Sequence, residues 1–164
     1  DFFSDKEIGP SLLGDVERAF GNLMVKTILN TSEQLTVSVD GVNLTVLTYR
    51  FPHLYDPVDY HGVRLFAIPD IAAAKAYALG RRATLKDYVD LYFIVIEQHC
   101  TLGGIVAAAK KKYSDLFDPR LFFEQLVYLK DVADEKIRFL KPPVGKEEIE
   151  RFFAREIANV PLSD

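Results

Sequence analysis

Basic and acidic side chains are concentrated in one short stretch of the sequence, between residues 75 and 90. The basic residues are Lys75, Arg81, Arg82 and Lys86, and the acidic residues are Asp87 and Asp90. Cations grouped in this way can hold phosphate, and neighbouring carboxylates can orient them. The same pattern is also typical of ion pairs that only join two helices. The residues alone leave both interpretations open.

Asp87 and Asp90 are three positions apart, so on a helix their carboxylates share one face. The residues between and beside them include the large apolar side chains Tyr88, Val89, Leu91 and Tyr92. We therefore expect at least one carboxylate to lie near the core, where it needs a partner. Lys75 or an arginine of the preceding helix is the obvious one. Thr84 is expected to cap the second helix, with Asp87 completing a variant of the capping box.

The elements that position these residues are predicted to be helices. A helix is expected through Leu79, with Asp70 as its N-cap and Gly80 at its end. Further helices are predicted after the caps Thr84 and Asp118, from Thr101 onward, and over residues 146–158. The helix after Thr101 ends in three lysines, residues 110–112, which suit the negative end of a helix dipole.

The first half of the chain predicts strands with a helix among them. Asp40-Gly41 indicates a tight hairpin turn between a strand at 35–39 and a return strand at 42–49. A helical pattern runs from Leu12 to about Ile28, and Asp1-Phe2-Phe3 looks like the end of a strand. A loop over 51–62 and a short strand at 63–68 follow. Strands first and helices later predict an α+β fold: one domain over residues 1–164, mainly sheet in 1–69 and helical in 70–164.

Composition excludes several classes of protein. The 164 residues carry a net charge of −4, which argues against a broadly basic protein that coats nucleic acid. Cys100 is the only cysteine, so no internal disulfide and no cysteine-based zinc site can form. The three histidines are far apart in sequence, and phosphate-loop, zinc-protease and serine-hydrolase motifs are missing. Apolar stretches are too short to cross a bilayer, and a cytoplasmic location is expected.

The stretch from residue 75 to 91 resembles the nucleotidyltransferase AbiEii/AbiGii toxin family. The matching pieces are Lys75-Ala76-Tyr77-Ala78 with Arg81, followed by Lys86-Asp87 and Asp90-Leu91. The opening Asp1-Phe2-Phe3-Ser4 is similar to the end of the family's D-x-D strand, with Asp1 as the second aspartate. Residues 139–142 and the Phe-Phe helix that follows resemble the family's C-termini. The resemblance covers essentially the whole chain.

The resemblance implies a polymerase-β-like fold and a set of site residues. Asp1 would bind a divalent metal, expected to be Mg²⁺, which bridges carboxylate and phosphate. Lys75, Arg81 and Arg82 would bind the nucleotide through its phosphates. Asp87 and Asp90 would be the catalytic acids, orienting the cations or assisting the acceptor.

The function implied by the resemblance is that of the toxin in a toxin–antitoxin or abortive-infection (phage-defence) pair. Such a protein would transfer a nucleotidyl group from an NTP to a macromolecular acceptor, with RNA, especially tRNA, as the first candidate. A cognate antitoxin would be its protein partner. The cations at 81, 82, 86 and 110–112 would meet the RNA backbone.

Two departures from the family pattern lead to alternatives. Thr45 stands where a third carboxylate would be expected, and a hydroxyl is a poor ligand for Mg²⁺. The first aspartate of D-x-D and a Gly-Ser loop are expected upstream of Asp1, so we expect these 164 residues alone to be inactive. A degenerate domain of the same fold that binds nucleotide or a partner is the second hypothesis. A helical interaction domain with salt-bridged helices and no ligand is the third.

Overall fold

The computed structural model describes residues 1–160 and divides the chain into two compact units, the first over residues 1–51 and the second from residue 52 onward. Each unit is described by itself. The mixed α+β fold is confirmed, with a sheet in the first half and mostly helices in the second. The boundary between the compact units follows Phe51, whereas the predicted sheet part extended to residue 69. The single domain over 1–164 stays a prediction.

The first unit is a four-stranded sheet with one helix. Its elements are β1 (Phe2–Ser4), α1 (Leu12–Phe20), β2 (Val25–Asn30), β3 (Gln34–Val39) and β4 (Val42–Thr48). The strand order is β1-β4-β3-β2. β1 runs parallel to β4, and the other neighbouring pairs are antiparallel. β1 and β2 are thus the outer strands of this sheet.

The core of the first unit follows the alternation of β3. Leu35, Val37 and Val39 are buried and cluster with Val16 of α1. The turn between β3 and β4 has positive φ at both central positions, 45° at Asp40 and 85° at Gly41. These angles suit a two-residue hairpin turn. The predicted hairpin is confirmed, including the strands on either side.

The predicted helix from Leu12 to about Ile28 is wrong in its second part. Helix α1 ends at Phe20 because Gly21 adopts a φ of +56° and its N–H returns to the Glu17 carbonyl. Residues Val25–Asn30 form β2 instead, paired with β3. The apolar spacing fitted a helix, but pairing with β3 and the glycine break prevailed.

The second unit begins with a two-stranded hairpin and continues with helices. The hairpin joins β5 (Val58–Tyr60) to β6 (Val63–Leu65). The helices are α2 (Ile68–Leu79), α3 (Leu85–Ile96), α4 (Leu102–Tyr113), α5 (Pro119–Leu126) and α6 (Lys146–Ala158). The strand predicted over 63–68 is therefore shorter than expected. Its partner falls inside the segment that was predicted to be a loop.

Helix α2 packs against both α3 and α4. Ala72, Ala73 and Ala76 are buried, and small side chains let neighbouring helices approach closely. The predicted cap Asp118 and the predicted helix start at Thr101 are confirmed, and both side chains accept a backbone N–H of the first turn. The predicted cap at Asp70 is wrong: the helix begins at Ile68, so Asp70 lies inside its first turn.

Candidate functional site

The predicted partner of the two acids is confirmed as Lys75. Its Nζ lies 2.9 Å from Asp87 Oδ1 and 2.5 Å from Asp90 Oδ2. The side chains of Lys75, Asp87 and Asp90 are 26%, 5% and 50% exposed, respectively. One carboxylate is thus buried as expected, and the other faces solvent. We call these three residues the Lys75 cluster.

The local sequence explains how the Lys75 cluster forms. The short connection between α2 and α3 brings Lys75 of one helix beside the first turn of the other. Asp87 and Asp90 then project from the same face of α3, three residues apart. The Thr84 hydroxyl donates to Asp87 Oδ2 at 2.8 Å, so it does not accept an N–H as an N-cap usually does. The predicted side-chain cap at Thr84 is therefore wrong, and its hydroxyl instead holds the Asp87 carboxylate in place beside Lys75.

Burial and charge act against each other on Lys75. Desolvation lowers the pKa of Lys75, but the hydrogen bonds to Asp87 and Asp90 and their negative charges together raise it above its ordinary value of 10.5. The ammonium is therefore protonated at neutral pH. An ammonium has three N–H donors, so with two carboxylate partners one donor remains for a further acceptor.

The other predicted nucleotide-binding cations do not join the Lys75 cluster. The Arg81 guanidinium lies 3.6 Å from the centre of the Tyr77 ring, a cation–π contact. It also lies 3.4 and 3.5 Å from the Leu116 carbonyl through its two terminal nitrogens. Arg82 is exposed, and Lys86 is 3.7 Å from Glu135. Lys75, Arg81 and Lys86 thus have different neighbours although they lie close together in sequence.

A second lysine–carboxylate pair on α2 was missed by the sequence analysis. Lys112 Nζ lies 2.5 Å from Asp70 Oδ1, and the two side chains are 0% and 1% exposed. The Asp70 carboxylate also accepts the backbone N–H groups of Leu54 and Tyr55, the latter at 3.0 Å. We call Asp70 and Lys112 the sealed pair. It holds α2, α4 and the segment before the β5–β6 hairpin together.

The prediction that Lys112 meets an RNA backbone is therefore wrong, whereas Lys110 and Lys111 are exposed. The helical period carried a signal for this. Lys112 follows the buried Ala108 and Ala109 by four and three positions, so it falls on the inner face of α4. Asp70 likewise precedes the buried Ala73 by three positions. The charges of both residues suggested helix ends and masked this pattern.

A cavity of about 310 Å³ lies between α2 and α3, beside the Lys75 cluster. Its lining residues are Ile68, Ile71, Asp90, Phe93, Ile94, Glu97 and His99. Asp90 belongs both to the cluster and to the cavity wall. Neither Phe93 nor Glu97 was singled out in the sequence, because their chemistry depends on the groove between the two helices.

A different cavity, of about 320 Å³, lies beside Arg81. It is bordered by Tyr77, the 3₁₀ turn Ser114–Leu116 and the start of α5. The Tyr77 ring stacks on Tyr113 at 3.9 Å between centroids. Arg81 and Asp90 thus border separate cavities of the second unit.

The first unit contains the predicted metal ligand, Asp1. Phe2 pairs with Val46 in the parallel ladder, so Asp1 and Thr45 occupy the positions immediately before that pair. Asp1 is exposed, and Thr45 Oγ1 lies 3.3 Å from Thr36 Oγ1 on β3. The position that would suit a second carboxylate beside Asp1 therefore holds a hydroxyl that already has a partner.

These residues do not fit a Mg²⁺ site. Within residues 1–160, no group of three or more His, Cys, Asp or Glu side chains is arranged to hold a metal ion. Beside Asp1 the neighbouring strand offers the Thr45 hydroxyl, and Mg²⁺ prefers carboxylate and water oxygens in octahedral geometry. Mg²⁺ stays a prediction from the family resemblance.

The chain is similar to an uncharacterized protein of Aquifex aeolicus, with 30% identity over 135 residues. The match covers 81% of this chain and 64% of that protein, so the chain spans somewhat less than two thirds of its relative's length. No family model matches the chain, and no solved structure matches it significantly. Among the described residues, no helix is both long and apolar enough to span a membrane.

Proposed function

We propose that this protein is a nucleotidyltransferase-like toxin of the AbiEii/AbiGii type. In this proposal it transfers a nucleotidyl group from an NTP to an RNA acceptor, and a cognate antitoxin restrains it. The observation that carries the proposal is the convergence of Lys75, Asp87 and Asp90. These are three of the residues on which the family resemblance rests, and they meet across two helices.

The exposure of the Lys75 cluster supports a ligand-binding role. Asp87 is buried and hydrogen-bonded, so it holds the ammonium in place. Lys75 and Asp90 are 26% and 50% exposed, so a ligand can reach both. The sealed pair shows what a lysine–carboxylate contact in this unit looks like when solvent is excluded.

The chemistry available to the cluster is limited and specific. The remaining N–H donor of Lys75 can bind a phosphate oxygen, a charge-assisted hydrogen bond. Asp90 can accept a hydrogen bond from an acceptor hydroxyl, which is how a carboxylate acts as a general base. Arg82, Lys110 and Lys111 are exposed cations that suit an RNA backbone.

The test is nucleotide transfer by the product of the whole gene, with this chain alone as a comparison. Labelled NTPs, Mg²⁺ and total tRNA are incubated with the wild type and with Lys75→Met, and labelled RNA is separated on a gel. We expect transfer that Lys75→Met abolishes. Lys130→Met, which removes an exposed lysine beyond the end of α5, is the control and should retain transfer. Transfer by Lys75→Met at the wild-type rate would contradict the proposal.

A degenerate domain that binds nucleotide without transferring it is the second candidate. Thr45 favours it, because the position beside Asp1 lacks a carboxylate. Nucleotide binding that depends on Lys75, with no transfer to any RNA, would identify this case. If Lys75→Met lowers stability but leaves nucleotide binding unchanged, the cluster serves only to join two helices.

A further inference from the structure

We propose that the cavity between α2 and α3 binds a nucleobase carrying an exocyclic amino group, such as adenine or cytosine. This inference rests on the proposed function for the presence of a nucleotide, and it adds which part of the nucleotide the cavity takes. The source of the base is either the NTP or the RNA acceptor.

The size and floor of the cavity suit a flat, neutral group. Its volume of about 310 Å³ is at the lower end of the range of small-molecule sites, roughly 300–1,000 Å³. Ile71, Phe93 and Ile94 supply apolar and aromatic surface. A base stacked on an aromatic side chain is a general mode of single-strand recognition, because every base has a π-face.

The polar groups of the cavity favour a ligand that donates hydrogen bonds. Its lining includes two carboxylates, Asp90 and Glu97, and no lysine or arginine. Lys75 and Lys141 each approach from outside the lining and pair with one of these carboxylates. Carboxylate oxygens accept hydrogen bonds, so an amino group in the cavity would find acceptors there.

Glu97 is the residue best placed to read the base. It pairs with Lys141, whose Nζ also lies 5.4 Å from the centre of the Phe93 ring. Its other oxygen lies 3.3 Å from His99 Nε2. A carboxylate has about four lone-pair positions, so it can accept another hydrogen bond. A base with a carbonyl in place of the amino group would bring its oxygen against the Glu97 carboxylate, and two acceptors form no hydrogen bond.

The spacing along the groove connects this cavity to the Lys75 cluster. Asp90 lies on α3 and Glu97 is the C-cap of that helix, seven residues further on, which is about 10 Å along a helix. A base near Glu97 would leave its sugar near Asp90, and any phosphate would lie beyond it, toward the Lys75 ammonium. The base would thus lie against the apolar surface of the cavity, and the phosphate would lie near the Lys75 ammonium.

The experiment titrates the full chain with free nucleosides, which carry no phosphate and need no metal. Adenosine is compared with inosine, and cytidine with uridine, because each pair differs by amino against carbonyl. Backbone amide NMR shifts report the affinity and the location. We expect adenosine and cytidine to bind about tenfold more tightly than their partners, with shifts at Ile71, Phe93 and Ile94.

Glu97→Gln should remove this preference, because an amide accepts and donates equally well. Glu124→Gln, an exposed substitution on α5, is the control and should keep it. Equal binding of amino and carbonyl nucleosides by the wild type would overturn the inference, as would an unchanged preference in Glu97→Gln.

Further measurements distinguish failure of the base site from failure of the proposed function. A preference in KM for ATP or CTP that Glu97→Gln removes assigns the base to the NTP, whereas a preference among RNA ends assigns it to the acceptor. Nucleoside binding without any transfer would refute the proposed function and leave the base site intact. Transfer that is indifferent to Glu97→Gln would refute the base site and leave the proposed function intact.

Discussion

Helix α2 carries two lysine–carboxylate contacts that differ in solvent exposure. The sealed pair, Asp70 with Lys112, is closed to water and also binds two backbone N–H groups of the preceding segment. The Lys75 cluster lies one to two turns further along the same helix, with Asp87 buried and Asp90 half exposed. The same pair of chemical groups thus occurs in two different settings.

The difference separates a structural role from a binding role. Two charges removed from water must satisfy each other, so the sealed pair has no capacity for a ligand. In the Lys75 cluster a buried acid fixes the ammonium while solvent reaches the rest. The two contacts have the same residue types and differ in solvent exposure. Substitutions at each contact should therefore change the free energy of unfolding by different amounts.

The largest effect is expected from Lys112→Met. This substitution leaves the Asp70 carboxylate buried without its counter-ion, which costs about 3–5 kcal/mol in the free energy of unfolding. Urea unfolding followed by circular dichroism measures the loss. The double variant Asp70→Asn with Lys112→Met should recover most of it, because the asparagine oxygen still accepts the N–H of Tyr55. A loss below about 1 kcal/mol in the single variant would show that the pair is not sealed.

A smaller and unequal effect is expected within the Lys75 cluster. Asp87→Asn should cost about 1–3 kcal/mol, because Asp87 is buried between Lys75 and Thr84. Asp90→Asn should cost less than about 1 kcal/mol, because its half-exposed carboxylate is screened by water. The same urea unfolding compares them. Equal losses would mean that the two carboxylates share one environment.

Alkaline pH should destabilise the region of the Lys75 cluster. The raised pKa of Lys75 means that its contribution is full below pH 10.5 and is lost as pH rises through the higher folded-state pKa. Burial, with the charges of Asp87 and Glu150, raises the pKa of Tyr88 from 10.0 to about 12. The unfolded chain then binds fewer protons than the folded one, so the free energy of unfolding falls with rising pH across that interval.

Urea unfolding between pH 9 and 12 checks this expectation. Tyr88→Phe removes the phenol and should make the decline shallower, while Tyr60→Phe, which removes an exposed phenol of the β5–β6 hairpin, is the matched comparison. A decline of the same slope in Tyr88→Phe and the wild type would contradict the assignment.

The smallest effect is expected from Lys86→Met. Its ammonium lies 3.7 Å from Glu135 and is largely exposed, so this contact represents the open extreme of the series. Exposed pairs contribute about 0–1 kcal/mol, and the change in unfolding free energy should stay near 0.5 kcal/mol or below. A loss of unfolding free energy as large as that of Asp87→Asn would show that solvent exposure does not decide how much these ion pairs contribute.

The sequence was informative where one local rule governed the outcome. The Asp40-Gly41 turn, the cap Asp118, and the contact of Lys75 with an acid of α3 all follow from short-range chemistry. Strand β2 was mistaken for helix because its partner, β3, is needed to recognise it. The sealed pair was missed because Asp70 and Lys112 are 42 positions apart, and each alone looked like a helix-end charge. The cavity at Phe93 and Glu97 required the packing of two helices.

The most direct test of the account is nucleotide-induced stabilisation of the chain. A ligand at 100 times its Kd adds about 2.7 kcal/mol to the free energy of unfolding. Thermal unfolding with and without each NTP is compared for the wild type, Lys75→Met and Lys86→Met. The account predicts a rise in Tm that Lys75→Met abolishes and Lys86→Met retains. A full rise in Lys75→Met would contradict the claim that the half-open cluster binds the nucleotide.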